Sequence, residues 1–104
     1  MVHKVAIRNG NLYVEHELYK KFFNGIETIA LLKRDTGFLV MPVFSQASGG
    51  RLLKMRNAAG DRVVTATDFL QDFNLDEHAE KNFLATWDSS AAALFVDLEN
   101  EQTA

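Results

Sequence analysis

The chain has 104 residues, 47% hydrophobic and 24% charged, with a formal net charge of −3 and no cysteine. That length suits one domain with its own core, and the missing cysteine excludes disulfides, thiolate metal sites and cysteine nucleophiles. No apolar run approaches the roughly 18–20 residues of a membrane-spanning helix. MVHKVAIRNG meets polar residues too early for a signal-peptide core, so a cytoplasmic location is expected.

In chain order, Lys4 to Arg8 alternates polar and apolar residues as a half-buried strand does. Asn9-Gly10-Asn11 is a turn, because Asn and Gly tolerate positive φ, and Leu12 to Val14 resumes an extended run. From Glu15 to Phe23 the period changes: Leu18 with Phe22 and Tyr19 with Phe23 stand four apart, which predicts a helix ended by Asn24-Gly25. Ile26 to Leu32 reads as a buried strand, Lys33 to Gly37 as a turn, and Phe38 to Phe44 as the returning strand. Pro42 belongs at an edge or at the strand's end, since it donates no ladder hydrogen bond.

Ser45 to Gly50 is a polar connector, after which the same order returns. Leu52 to Arg56 is a strand, Asn57 to Asp61 a turn, Arg62 to Val64 a short strand and Thr65 to Phe73 a helix capped by Thr65 or Thr67. Phe83 to Trp87, Asp88 to Ser90 and Ala92 to Leu98 form a second hairpin. Matched pairs recur in order: Arg8-Asn9 with Arg56-Asn57, then Gly10, Val14, Tyr19, Phe23 and Asn24 with Gly60, Val64, Phe69, Phe73 and Asn74, and Leu39 with Leu94. The expected fold is mainly β with short helices. One domain spans 1–98 as two strand–strand–helix–hairpin repeats, at about 5–43 and 52–98, and 99–104 is a polar tail.

GNLYVEHELYKKF followed by IETIALLKRDTGFLVMPV resembles the swapped-hairpin domain of the AbrB and MraZ regulators. The resemblance is one of pattern over about Val5 to Leu98. With two copies in one chain, MraZ is the closer analogue, and the resemblance implies a pseudo-two-fold barrel. It also implies binding of double-stranded DNA by basic side chains on the first strands and adjoining turns of each repeat. The matching positions are Lys4, Arg8, Lys54, Arg56 and Arg62, supported by Asn9 and Asn57. Arginine can bind phosphate or read guanine, and asparagine can pair with adenine.

Charge is unevenly spread, with ten Lys or Arg and five Asp or Glu up to Ala66 but one against nine after it. Such polarity can give a basic face that net acidity conceals. Lys20-Lys21 and Lys33-Arg34 read as helix-end and turn solvation, and Phe22, Phe23, Phe69, Phe73, Phe83 and Trp87 as core. Asp68 and Asp72, followed by Asp76, Glu77, His78 and Glu80, read as a solvated acidic face, with hard-cation binding as the other reading. The three histidines fall in unrelated elements and the serines lack a nucleophile-elbow setting; no enzyme and no cofactor are expected. The alternative to a DNA-binding regulator is a protein-interaction or assembly module on the same fold, self-associating or binding another protein.

Overall fold

Asn9 and Gly10 hold φ of 51° and 76°, the backbone that a two-residue hairpin turn requires. Arg8 pairs with Asn11 across them, joining β1 (His3–Arg8) to β2 (Asn11–Val14). The computed structural model describes residues 3–44, 50–75 and 79–102. It continues through α1 (His16–Phe22), β3 (Thr28–Arg34), β4 (Gly37–Val43), β5 (Arg51–Leu52), β6 (Lys54–Met55), β7 (Arg62–Thr65), α2 (Thr67–Leu70), a 3-10 turn at Gln71–Phe73, β8 (Lys81–Asp88) and β9 (Ala93–Gln102). The fold is mainly β, with two short α-helices. No helix among the described residues is long and apolar enough to cross a membrane.

The described strands form one antiparallel sheet in the order β5-β3-β4-β9-β8-β1-β2-β7-β6. Its two ends are the halves of a single segment, divided at Leu53. Arg51–Leu52 pairs with β3 and Lys54–Met55 with β7, so this bent segment nearly closes the sheet into a barrel. Leu53 turns into the core at the bend and donates its N–H to the Glu27 carbonyl at 2.8 Å. The segment predicted as one strand is broken for that reason: two partners on different lines each claim half of it.

Exchanging β1 with β5–β6, β2 with β7, β3 with β8 and β4 with β9 maps the pairings onto themselves. β1–β2 becomes β6–β7, β1–β8 becomes β5–β3 and β3–β4 becomes β8–β9, while β2–β7 and β4–β9 are unchanged. The two hairpin turns differ in length. Arg34 pairs with Gly37, leaving Asp35-Thr36 between them, whereas Asp88 pairs with Ala93. Leu39 therefore matches Phe95 rather than Leu94: it lies across from Phe95 on the outer face, while Leu94 points into the core.

The barrel interior holds Val5, Ile7, Leu12, Val14, Ile29, Phe38, Val40, Val64, Phe83, Leu94 and Val96, the alternate residues of each strand. Burying each such side chain is worth about 1.5–3 kcal/mol. Each helix caps the interior with aromatics. Phe22 stacks on Trp87 with centroids 4.8 Å apart, and Phe23 meets the same indole edge-on. Phe69 and Phe73 meet Phe38 at 5.4 and 5.9 Å. Phe23 is fully buried and Phe73 only half-buried, because the second helix lasts four residues before tightening into the 3-10 turn.

Two further boundaries differ from the sequence expectation, and Pro42 agrees with it. Thr65 remains in the ladder opposite Asn11, so α2 starts at Thr67 with Ala66 as N-cap and no side-chain cap bond. The predicted tail from Glu99 is strand as far as Gln102, which pairs with Asn82 past a bulge at Phe83/Leu84. Pro42 pairs with Ile29 beyond Val40, where β4 stops pairing with β9; its missing N–H falls at the strand's end.

Gly10 and Gly60 each lie against the start of the helix from the other half. A Cβ on Gly10 would come within 2.9 Å of Thr67 Cα, and one on Gly60 (φ 94°) within 2.5 Å of His16 Nδ1. Gly10→Ala and Gly60→Ala should each cost at least about 2 kcal/mol, combining left-handed backbone strain with overpacking. Gly25→Ala has the same sign of φ but open space around it, and should cost only about 1–2 kcal/mol. Urea unfolding of the three variants checks this; equal losses would show that the helix contact is unimportant.

Candidate nucleic-acid interface

Alternation decides which way the candidate side chains point. Val5 and Ile7 face inward, so Lys4 and Arg8 face outward from β1 and both are exposed. Lys54 pairs with Val63 on the same outer surface, through the row Asn82, Ala6, Tyr13, Val63, Lys54. Arg56 follows β6 and lays its guanidinium 4.3 Å from the Tyr13 ring centroid, a cation–π contact. Lys4, Arg8, Lys54 and Arg56 thus share one outer wall with Tyr13 near its centre.

The other three candidates stand elsewhere. Arg62 pairs with Val14, which puts it on the inward side at the barrel's end. There it lies 4.0 Å from the Tyr19 ring centroid and donates from Nη1 to the Gly60 carbonyl at 2.8 Å. Asn57 holds its own turn together: its Nδ2 donates to Asp61 Oδ2 at 3.0 Å and its Oδ1 accepts from the Asp61 N–H at 3.2 Å. Asn9 occupies the hairpin turn and lines a separate cavity of about 230 Å³ beside Thr67, Gln71 and Asn74.

Carboxylates interrupt the shared wall. Lys4 and Arg56 line a cleft of about 140 Å³ together with Glu15, Asp61 and Glu80, so the local balance is close to neutral. Asp61 has a second task. Its Oδ1 accepts the His16 N–H at 2.8 Å, capping α1 from the other half of the chain. The Asn57 amide, and then the His16 N–H, hold the Asp61 carboxyl below its ordinary range.

The uneven charge along the sequence is folded into ion pairs, two between the halves and one within the second. Lys33 meets Asp72 at 2.6 Å, Arg34 meets Asp88, and Arg51 grips Asp68 through two bonds of 2.8 Å. Arg51 brings the Asp68 carboxyl down to about 2. Two carboxylates of the predicted acidic face are therefore occupied by cations of the chain itself. Asp76, Glu77 and His78 lie outside the described residues. Sequence reasoning missed Tyr13 as a surface residue, for which the signal is its place between buried Leu12 and Val14; Asp61 as a cap for α1 left no local signal in the sequence.

Comparison with protein-family models, with curated proteins and with solved structures finds no match.

Asp61→Ala should destabilise the fold by about 1 kcal/mol, the usual cost of a lost N-cap. Because the folded-state pKa is depressed, this contribution is complete above the ordinary carboxylate range near pH 4. It disappears as pH falls through the lowered value. Chemical denaturation of both proteins from pH 7 down to pH 2 should show the gap closing; a constant gap would mean that the lost contribution is not electrostatic.

Proposed function

We propose that this chain is a protein-interaction module, built as two repeats of the AbrB and MraZ swapped-hairpin type. The repeat assignment is supported by the exchange pattern of the strand pairings and by the matched Gly10 and Gly60 contacts. A fold of that kind carries no single activity, so the function rests on surfaces. One observation carries it: β4, GFLVMPV, is apolar on both faces, a pattern belonging to strands covered on both sides. Its inner face is covered by the core, and on its outer face Leu39 is nearly buried while Met41 and Val43 stay half-exposed. The outer wall of β3, β4, β9 and β8 carries Leu32, Met41, Leu84 and Phe95 around Leu39; Leu32 is 55% exposed and Met41, Leu84 and Phe95 are half-buried. Contiguous apolar surface on a small domain marks a contact site.

A photo-crosslinking side chain placed at Leu32, in the full chain and in cells, should give protein adducts, and one placed at Lys54 far fewer. Adducts to nucleic acid at Lys54 with none at Leu32 would overturn the reading.

Binding of double-stranded DNA is the second reading, favoured by the common outer wall of Lys4, Arg8, Lys54 and Arg56. Four phosphate contacts would give a log–log salt slope of roughly −3 to −4. The Arg8→Ala/Arg56→Ala double variant should shallow it by about two units. A flat salt dependence, or equal binding by the variant, removes this reading.

A further inference from the structure

We propose that the cavity between the first hairpin turn and α2 is a binding site for an uncharged, flat heterocycle of nucleobase size with an amide edge. Its floor is apolar, made by buried Ile7 and Leu70 and half-buried Leu75. Its rim is polar: exposed Asn9, Gln71 and Asn74 bring carboxamides and exposed Thr67 a hydroxyl. The cleft at Tyr13 and the hollow at Phe95 are edged by carboxylates and cations, whereas no ionisable side chain stands among the described residues that line this cavity. An ion would enter it without a counter-charge, which a neutral ring does not need. The apolar floor suits the face of such a ring. A carboxamide holds a donor and an acceptor side by side, and so pairs with the adjacent donor and acceptor of an amide or amidine edge, as Asn and Gln do with adenine. At about 230 Å³, the cavity equals roughly seven waters of about 30 Å³ each. That admits a ligand of about ten non-hydrogen atoms and falls below the roughly 300–1,000 Å³ of drug-sized sites.

The other half of the chain has the same junction, where the turn from Asn57 to Asp61 meets the start of α1, and there the chain fills it with its own side chains. Asp61 accepts the His16 N–H at 2.8 Å, Asn57 is bonded to Asp61, and Arg62 lies over Tyr19. Asn11 follows Gly10 as Asp61 follows Gly60, but its carboxamide donates to Tyr13 Oη at 3.4 Å, on the outer wall. The first turn holds only two residues between paired Arg8 and Asn11, and Asn9 lines the cavity without closing it. One junction is therefore satisfied internally and the other is left open. Left-handed backbone, with φ of 51° and 53°, accounts for asparagine at positions 9 and 74. Gln71, with an ordinary helical φ of −53°, is under no such constraint and still extends the uncharged rim.

Side-chain amide resonances test the site directly. Titrating the isotope-labelled full chain with cytosine or nicotinamide should shift the carboxamide signals of Asn9, Gln71 and Asn74 and the Gly10 N–H. Half-saturation is expected on the order of 1 mM or below, a strength within reach of about ten ligand atoms. Benzoate, flat but charged, and benzyl alcohol, flat but without an amide edge, should bind roughly tenfold more weakly or less. Asn9→Gly keeps the left-handed turn, and Gln71→Leu alters an exposed side chain. Each should weaken cytosine binding roughly three- to tenfold, the share of one neutral hydrogen-bonding group, while resonances away from the cavity stay in place. Oligodeoxycytidine measured beside cytosine separates two sources of the same chemistry. Equal affinity per base assigns the site to a free heterocycle, and a gain of roughly tenfold or more assigns it to a base of a nucleic-acid strand. The proposal is overturned if none of these carboxamides shifts at about ten times the expected half-saturation, if benzoate or benzyl alcohol binds as well as cytosine, or if both variants bind cytosine unchanged.

Discussion

Two bare backbone positions hold the halves of this molecule together. Gly10 and Gly60 sit in the first turns of the two halves, and each lets the opposite helix begin directly on top of it. Hydrogen bonds follow from that proximity. Ala66 donates its N–H to the Gly10 carbonyl at 2.8 Å, starting α2 from the first half, and Asp61 accepts from His16, starting α1 from the second. Neither half can complete its helix alone. β2 and β7 must also be neighbours for both contacts to exist, and they pair from Asn11 with Thr65 to Val14 with Arg62. The central strand pairing, the helix starts and the hairpin turns are consequences of one close approach made twice.

Closure follows from the same interlock. With β7 beside β2 and β3 beside β4, the segment from Arg51 to Met55 is the one left to span the gap, and it bends at Leu53 to reach both neighbours. The bend leaves Leu52 and Met55 outside, since the residues between its two partners cannot keep the regular alternation of a strand. The core contributes most of the stability, and the ion pairs of Lys33, Arg34 and Arg51 add modest terms at exposed positions. Their larger effect is on the surface: they cancel the basic character that the first part of the chain has on its own.

Two walls of the barrel therefore differ in kind. The wall of β1, β2, β7 and β6 is a mosaic in which Lys4, Arg8, Lys54 and Arg56 alternate with carboxylates around Tyr13. The wall of β3, β4, β9 and β8 has Leu39 and Phe95 along its centre, with Arg34 bonded to Asp88 and Asp97 standing in the next row. A mosaic wall suits a polar partner that reads local charges. An apolar wall excludes water and rewards shape. Because the walls lie on opposite sides of the barrel, contact at one leaves the other free.

The local elements were legible in the sequence because their causes are local. Asn9-Gly10 dictates a tight turn through the φ values it tolerates, and the spacing of Leu18, Tyr19, Phe22 and Phe23 sets a helix face. The alternation of Val5 with Ile7 and of Leu12 with Val14 decides which side of each strand is buried. The outward direction of Lys4, Arg8 and Tyr13 follows from the same two-residue period. The tertiary structure alone decided how those directions combine. Arg62 carries the same charge as Arg56, yet pairing with Val14 puts it over Tyr19 at the barrel's end. Asn57 has the chemistry to read a base and spends it on Asp61. Leu39 and Leu94 look equivalent in sequence, but hairpin turns of unequal length put one on the barrel's outer face, though nearly buried there, and the other in the core. Each outcome depends on strand register and on contacts between residues far apart in the chain. Side-chain period is written locally; the partner on the neighbouring strand is not.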